Sequence, residues 1–155
     1  MENLELIRNI RLFKELDDNE LKKFLAIARE QKFSAGTVII EENTEGKALF
    51  VIKSGTVVVS KIDGALESEL VKLFAGEHFG EMSLVEDART SARVSAYNDV
   101  TCIVIPRDEF QKLVNSDYKI AAEVYKAFTQ TLCDRLRQTS QDLVAWKPEF
   151  SKDWS

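Results

Sequence analysis

The sequence predicts a mainly β domain with flanking helices: an antiparallel β-barrel or sandwich set between N-terminal helices and one long C-terminal helix. Three observations carry that expectation. Between Gln31 and Ile105 the chain is a series of short β-rich runs separated by turn signals. Before Glu30 apolar residues recur at helical intervals, and from Tyr118 to Trp146 there is neither proline nor glycine. The 155 residues suffice for one domain with a proper core but not for two large ones. The expected organisation is a single domain over 1–146, with helices in 1–30, the barrel in 31–105, helices in 107–146 and a short loose tail at 147–155.

In chain order, Leu4, Ile7, Ile10 and Phe13 mark the first helical face. Asp17 followed by Glu20 has the spacing of a capping box ahead of Leu21, Phe24, Leu25 and Ala28. The β runs are Val38–Ile40, Ala48–Lys53, Thr56–Lys61, Leu70–Phe74, Ala92–Ala96 and Thr101–Ile105. Glycine- and Asn/Asp-containing turns lie between them, and Asp63-Gly64 suits a tight hairpin because both residues tolerate positive φ. Pro106 closes the last strand, Asp108–Val114 forms a short helix, and Asp117 can cap the next. The run Tyr118–Trp146 then makes one helix of roughly 40 Å. Phe128, Leu132, Leu136, Thr139 and Leu143 follow one another at steps of three and four, which draws an apolar stripe along it.

Composition excludes several functions. A net charge of −5 argues against a nucleic-acid surface, which needs a basic face. The longest apolar run, Ala48–Ile52, is far too short to cross a bilayer, and the acidic start Met1-Glu2-Asn3-Leu4-Glu5 lacks the features of a signal peptide. Cys102 and Cys133 sit in apolar patterns and read as buried thiols, so the expected location is the cytoplasm. A barrel that holds a metal needs several histidines, and His78 is the only one, read as a packing or rim residue. No Gly-x-Ser-x-Gly elbow is present, so no enzyme is expected.

The chemistry concentrates between Gly76 and Ala92. Phe79-Gly80-Glu81-Met82-Ser83-Leu84 reads as a turn leading into a single helical turn, with Gly80 allowing the main chain close to a ligand. Arg89 follows a short acidic loop, and its planar fork could bind two phosphate oxygens in a way lysine cannot match. A carboxylate beside such a site suits a hydroxyl rather than the phosphate, which gives Glu81 a role. The plain alternative is a surface ion pair between Arg89 and Glu81.

Gly76-Glu77-x-Phe79-Gly80-Glu81-x-x-Leu84 followed by Ala88-Arg89-Thr90-Ser91-Ala92 resembles the phosphate-binding cassette of cyclic-nucleotide-binding domains. That family includes bacterial catabolite activators and the regulatory subunits of cAMP-dependent protein kinase. Phe33-x-x-Gly36-x-x-Ile39-Ile40 and Phe50-Val51-Ile52-x-x-Gly55-x-Val57 are similar to its strand-and-glycine rhythm, and the likeness spans roughly Leu12 to Val144. The resemblance implies a jelly roll (double-stranded β-helix) and a set of roles. Arg89 would hold the cyclic phosphate, Glu81 would accept the ribose 2′-hydroxyl, and Gly80, after Phe79, would approach the ribose with its backbone. The amides of Met82 and Ser83, with Thr90 and its neighbour Ser91, would line the phosphate pocket. The ligand implied is cAMP, with cGMP second. A hydroxyl after the arginine is similar to a guanine-favouring feature of some eukaryotic members, yet bacterial activators carry serine there and take cAMP, so Thr90 leaves the base open.

The run Arg135-Leu136-Arg137-Gln138-Thr139-Ser140 resembles the activators' dimer helix, where a Thr-Ser pair meets adenine. Thr139 would then touch the 6-amino group and Ser140 would reach a partner's ligand; the alternative is a solvated polar face. A homodimer through Phe128, Leu132, Leu136 and Leu143 follows from the same resemblance, unless the stripe folds back onto the barrel. Activators add a DNA-reading helix-turn-helix, for which the nine residues after Trp146 are too few. The functional expectation is a sensor that contacts cyclic nucleotide and a protein effector of unknown identity, with no direct nucleic-acid or membrane partner. The alternative is a drifted fold that serves only as an interaction module, against which intact Gly80, Glu81 and Arg89 weigh.

Overall fold

The computed structural model describes residues 2–146, so the tail expected at 147–155 lies outside them. The chain begins with α1 (Asn3–Arg8), a 3-10 turn (Arg11–Phe13) and α2 (Asp18–Ile27). The first apolar face is thus broken at Asn9-Ile10 instead of forming one helix. The capping box at the start of α2 is complete: the Glu20 amide donates to Asp17 Oδ1 at 2.8 Å, and the Asp17 amide donates to Glu20 Oε1 at 3.0 Å.

The strands are β1 (Arg29–Phe33), β2 (Val38–Ile40), β3 (Ala48–Ser54), β4 (Val57–Asp63), β5 (Leu66–Leu73), β6 (His78–Phe79), β7 (Arg93–Ala96) and β8 (Val100–Pro106). A one-turn helix, α3 (Met82–Val85), follows β6; α4 (Arg107–Ser116) and α5 (Tyr118–Trp146) end the fold. The strands form two antiparallel four-stranded sheets, ordered β1-β8-β3-β6 and β2-β7-β4-β5, so of the expected barrel or sandwich it is the two-sheet form that is seen. This is the jelly-roll arrangement.

Besides β6, which the sequence reading lacked, and limits of other strands that shift by one or two residues, three features differ from it. β1 starts at Arg29 and was not anticipated, because Arg-Glu-Gln-Lys is exposed and carries no apolar alternation. β5 starts at Leu66 rather than Leu70, for the same reason. The β4–β5 loop is Gly64-Ala65, one residue later than expected, with positive φ at Gly64 alone (63°). Glycine at the first position of a two-residue loop matches the right-handed twist of the strands it joins.

Alternation on two central strands builds two cores. On β3, Leu49 and Val51 face the helices while Ala48 and Ile52 face the other sheet. On β8, Ile103 and Ile105 face the helices while Cys102 and Val104 face the sheet. The helical core adds Ile7, Phe13, Phe24, Phe110, Ile120, Val124 and Phe128. Burial raises the Cys102 thiol to about 12, so it stays protonated. Cys133 is exposed, contrary to expectation, and both cysteines are free.

Asp117 caps α5, its carboxylate accepting the Ile120 amide at 3.2 Å. Phe128 is buried in the helical core, whereas Leu132, Leu136 and Leu143 are exposed, so the expected stripe does not stay on one surface. Among the described residues no helix is long and apolar enough to cross a membrane, and no cluster of three metal-ligating side chains occurs.

Because β8 is buried on both faces, Ile103→Ala should lower unfolding free energy by about 2–5 kcal/mol, read from urea denaturation. Leu66→Ala, on a residue 72% exposed, should change it by less than about 0.5 kcal/mol. Equal small effects would show that β8 does not separate two cores.

Candidate functional site

The segment after β6 is fixed from both sides. Phe79 pairs with Phe50 of β3, their rings stacked at 4.9 Å, and belongs to the core between the sheets. Leu84 of α3 is fully buried in the helical core. Between them the chain must reverse tightly. Gly80 does so at φ 84°, where a Cβ would stand 2.6 Å from the Ala48 carbonyl oxygen.

Beside this turn is a cavity of about 510 Å³, within the range of small-molecule sites. Its apolar lining comes from Ile40, Val59, Val71, Leu73 and Val94, all on the sheet β2-β7-β4-β5. The cavity brings together eight of the ten expected residues: Phe79, Gly80, Glu81, Met82, Ser83, Arg89, Thr90 and Ser91. Thr139 and Ser140 do not line it. The Thr139 hydroxyl donates back to the Arg135 carbonyl at 2.9 Å, and Arg135, one turn earlier, is the α5 residue that reaches the cavity.

Arg89 and Glu81 do not pair with each other. Arg89 Nε donates to the Asn43 carbonyl and to Asn43 Oδ1, each at 2.8 Å, and Nη2 donates to the same carbonyl. Glu81 Oε1 instead accepts from Arg135 Nη2 at 2.5 Å. His78 Nδ1 stands 3.5 Å from Glu81 Oε2 without forming a hydrogen bond, which leaves this buried nitrogen unpartnered. Burial alone would raise the Glu81 carboxyl above its usual 4.5, but His78 and Arg135 overcome that and bring it to about 2. Glu81 is therefore a largely buried, ionised acceptor.

Two of the expected phosphate-pocket residues, Ser83 and Thr90, have their donors engaged elsewhere. The Ser83 amide donates to the Gly80 carbonyl at 3.1 Å, because the single turn closes on itself. The Thr90 amide donates to the Thr44 carbonyl at 2.7 Å, and the Thr90 hydroxyl to the Glu41 carbonyl at 2.6 Å. Met82, first in α3, keeps the open amide of a helix start.

The cyclic nucleotide-binding domain family matches residues 30–117. The chain belongs to the cyclic-nucleotide-binding domain family. It is 31% identical over 146 residues to mouse cGMP-dependent protein kinase 2, covering 91% of this chain and 19% of the kinase. It is 32% identical over 108 residues to the Candida albicans cAMP-dependent protein kinase regulatory subunit, covering 70% of this chain and 23% of that subunit. It thus spans about a fifth of the length of these relatives. The Thermus thermophilus catabolite activator protein superposes with a TM-score of 0.76 at 27% identity, over 88% of this chain and 63% of that one.

In this cyclic-nucleotide-binding domain, sequence reasoning did not find Asn43, Arg135 or the apolar lining. Alternation on β4, β5 and β7 could have found the lining. No sequence signal pairs Asn43 with Arg89 or Arg135 with Glu81, since they lie 46 and 54 residues from the side chains they hold.

A depressed carboxyl contributes stability above its unfolded value near 4.5, and that contribution is lost as pH falls toward 2. A shift of this size corresponds to roughly 3 kcal/mol. Glu81→Gln should therefore be less stable than the parent chain at pH 6, with the gap closing by pH 2–3 in denaturant titrations. A gap that persists unchanged in acid would contradict an ionised, paired Glu81.

Proposed function

We propose that the chain is a cytoplasmic, non-enzymatic sensor that binds cAMP, with cGMP as the second ligand, in the 510 Å³ cavity and reports occupancy through α5. The observation that carries this reading is the convergence of Arg89, Glu81 and an apolar sheet face on one cavity. A cyclic nucleotide has the three matching parts: an anionic phosphate, a ribose hydroxyl and a flat apolar base. Arg89 receives the phosphate, Glu81 accepts the ribose 2′-hydroxyl beside the Gly80 backbone, and the base lies along the lining from Val59, Val71 and Leu73. Two relatives support the ligand class, being named a cGMP-dependent protein kinase and the regulatory subunit of a cAMP-dependent one.

Signalling follows from the attachment of α5. Arg135 of α5 holds Glu81, so a ligand that hydrogen-bonds Glu81 acts directly on a contact between the cavity and the helix. A ligand moves such an equilibrium only through its different affinity for the two arrangements, and this contact supplies the difference. The exposed Tyr125, Leu132, Leu136 and Leu143, at steps of seven, four and seven, form the face for a protein effector or a second copy of the chain. Thr139 lies on that face, so its contact with adenine, and that of Ser140, belongs to a paired or rearranged α5.

A thermal-shift panel of cAMP, cGMP and their linear monophosphates should raise the melting temperature for the cyclic compounds only. Arg89→Ala should weaken cAMP binding by about 2–5 kcal/mol in calorimetry, more than tenfold. No shift with either cyclic compound at millimolar concentration would refute the sensor reading.

A further inference from the structure

Arg89 has five N–H donors in a fixed plane. Asn43 takes the Nε edge: Nε–H is shared between the Asn43 carbonyl and Oδ1, and one Nη2–H goes to the same carbonyl. Nη1 has no protein partner among the described residues. The donors that remain, two on Nη1 and one on Nη2, form the other bidentate fork of the guanidinium. With Arg89 lining the cavity, that fork is the one left for a ligand anion.

Asn43 is built to hold this edge. It is the one non-glycine residue with positive φ among the described residues, at 59°. Asparagine tolerates this left-handed region better than most side chains. In that conformation its carbonyl oxygen and Oδ1 both accept from Arg89 Nε. The loop around it cannot easily shift against Arg89. The Asn43 amide donates to the Thr90 carbonyl at 2.8 Å, the Thr90 amide donates to the Thr44 carbonyl at 2.7 Å, and Glu45 bridges Arg89 in antiparallel fashion. On the far side, Lys61 Nζ donates to the Ser91 carbonyl at 2.5 Å and to Glu42 Oε1 at 3.0 Å. Both ends of the contact are therefore anchored.

We infer that Asn43 is a positioning residue for anion binding: it locks the Nε edge of Arg89 and thereby aims the opposite edge at the ligand phosphate. The acceptor is neutral, so the orientation is imposed without cancelling the charge that attracts the anion. A carboxylate at this point would hold the arginine as well but weaken its field in the cavity. The inference rests on the sensor reading above and adds a residue to it.

The test uses cAMP and calorimetry on the full chain. Asn43→Gly keeps the left-handed backbone and the carbonyl and removes only Oδ1. It should weaken cAMP binding by about three- to tenfold, the usual effect of losing one hydrogen bond to a charged group. Asn43→Asp restores the acceptor and should recover part of that loss, with affinity less salt-sensitive than in the parent chain because the added carboxylate offsets the arginine's charge. In an Arg89→Lys background, where there is no Nε to hold, Asn43→Gly should cause no further loss. A purely structural role for the loop would give the same loss in both backgrounds, and that result overturns the inference, as does parent-like or tighter binding by Asn43→Gly. Failure of the parent chain to bind cAMP or cGMP would remove the sensor reading itself, and this inference with it.

Discussion

Everything in this molecule hangs on two strands that are buried on both faces. β3 and β8 lie at the centre of their sheet and alternate side chains between a helical core and a core between sheets. A strand in that position can afford no polar side chain on either face, which is why Leu49-Phe50-Val51-Ile52 and Cys102-Ile103-Val104-Ile105 read as unbroken apolar runs. Their double burial makes them the reference frame for the site. The cassette leaves β3 through the pairing of Phe50 with Phe79 and is pinned on the opposite side by Leu84. Six residues thus connect both cores, and the Gly80 turn between them has little room to move.

The electrostatics of the cavity follow from that rigidity. Two arginines and two carboxylates, Glu81 and the exposed Glu86, border it in a chain whose net charge is negative. They do not collapse into one cluster, because each arginine has a separate acceptor. Arg89 is held by the neutral Asn43 and makes no ion pair among the described residues, whereas Arg135 pairs with the largely buried Glu81. One local site is therefore positive and another nearly neutral. This division suits an anion joined to a neutral hydroxyl.

What the sequence disclosed and what it concealed divide along physical lines. The capping box at Asp17 and Glu20, the break at Asp117 and the two-faced strands are local patterns, and each was legible. So was the cassette, because residue types such as Gly80 and Arg89 are few and their spacing is specific. β1 and the first half of β5 were not legible, since they are strands by backbone pairing and their side chains are exposed. The fate of the α5 stripe was hidden for a different reason. Phe128 and Leu132 sit one turn apart on nearly the same face, yet Phe128 is buried in the helical core while Leu132 is exposed at a small cavity it lines with Arg11, Leu12 and Glu81. Periodicity gives the direction of a helix face but not the extent of the surface it meets.

The end of tight core packing gives α5 its character. As far as Phe128 the helix is fastened by apolar burial. Beyond it, two ion pairs among the described residues run back to the body: Arg11 with Asp134, and Arg135 with Glu81. The first pair is exposed at both partners and contributes little. The second differs, because Glu81 is only 12% exposed while Arg135 is largely in solvent. Withdrawing Arg135 would leave a buried carboxylate without its partner, which is costly. The distal half of α5 is therefore tied to the domain mainly by the need of one buried carboxylate for a donor. In the sensor proposed above, any group in the cavity that donates to Glu81 would lower that need, and this would couple the chemistry of the cavity to the position of the helix through a single side chain.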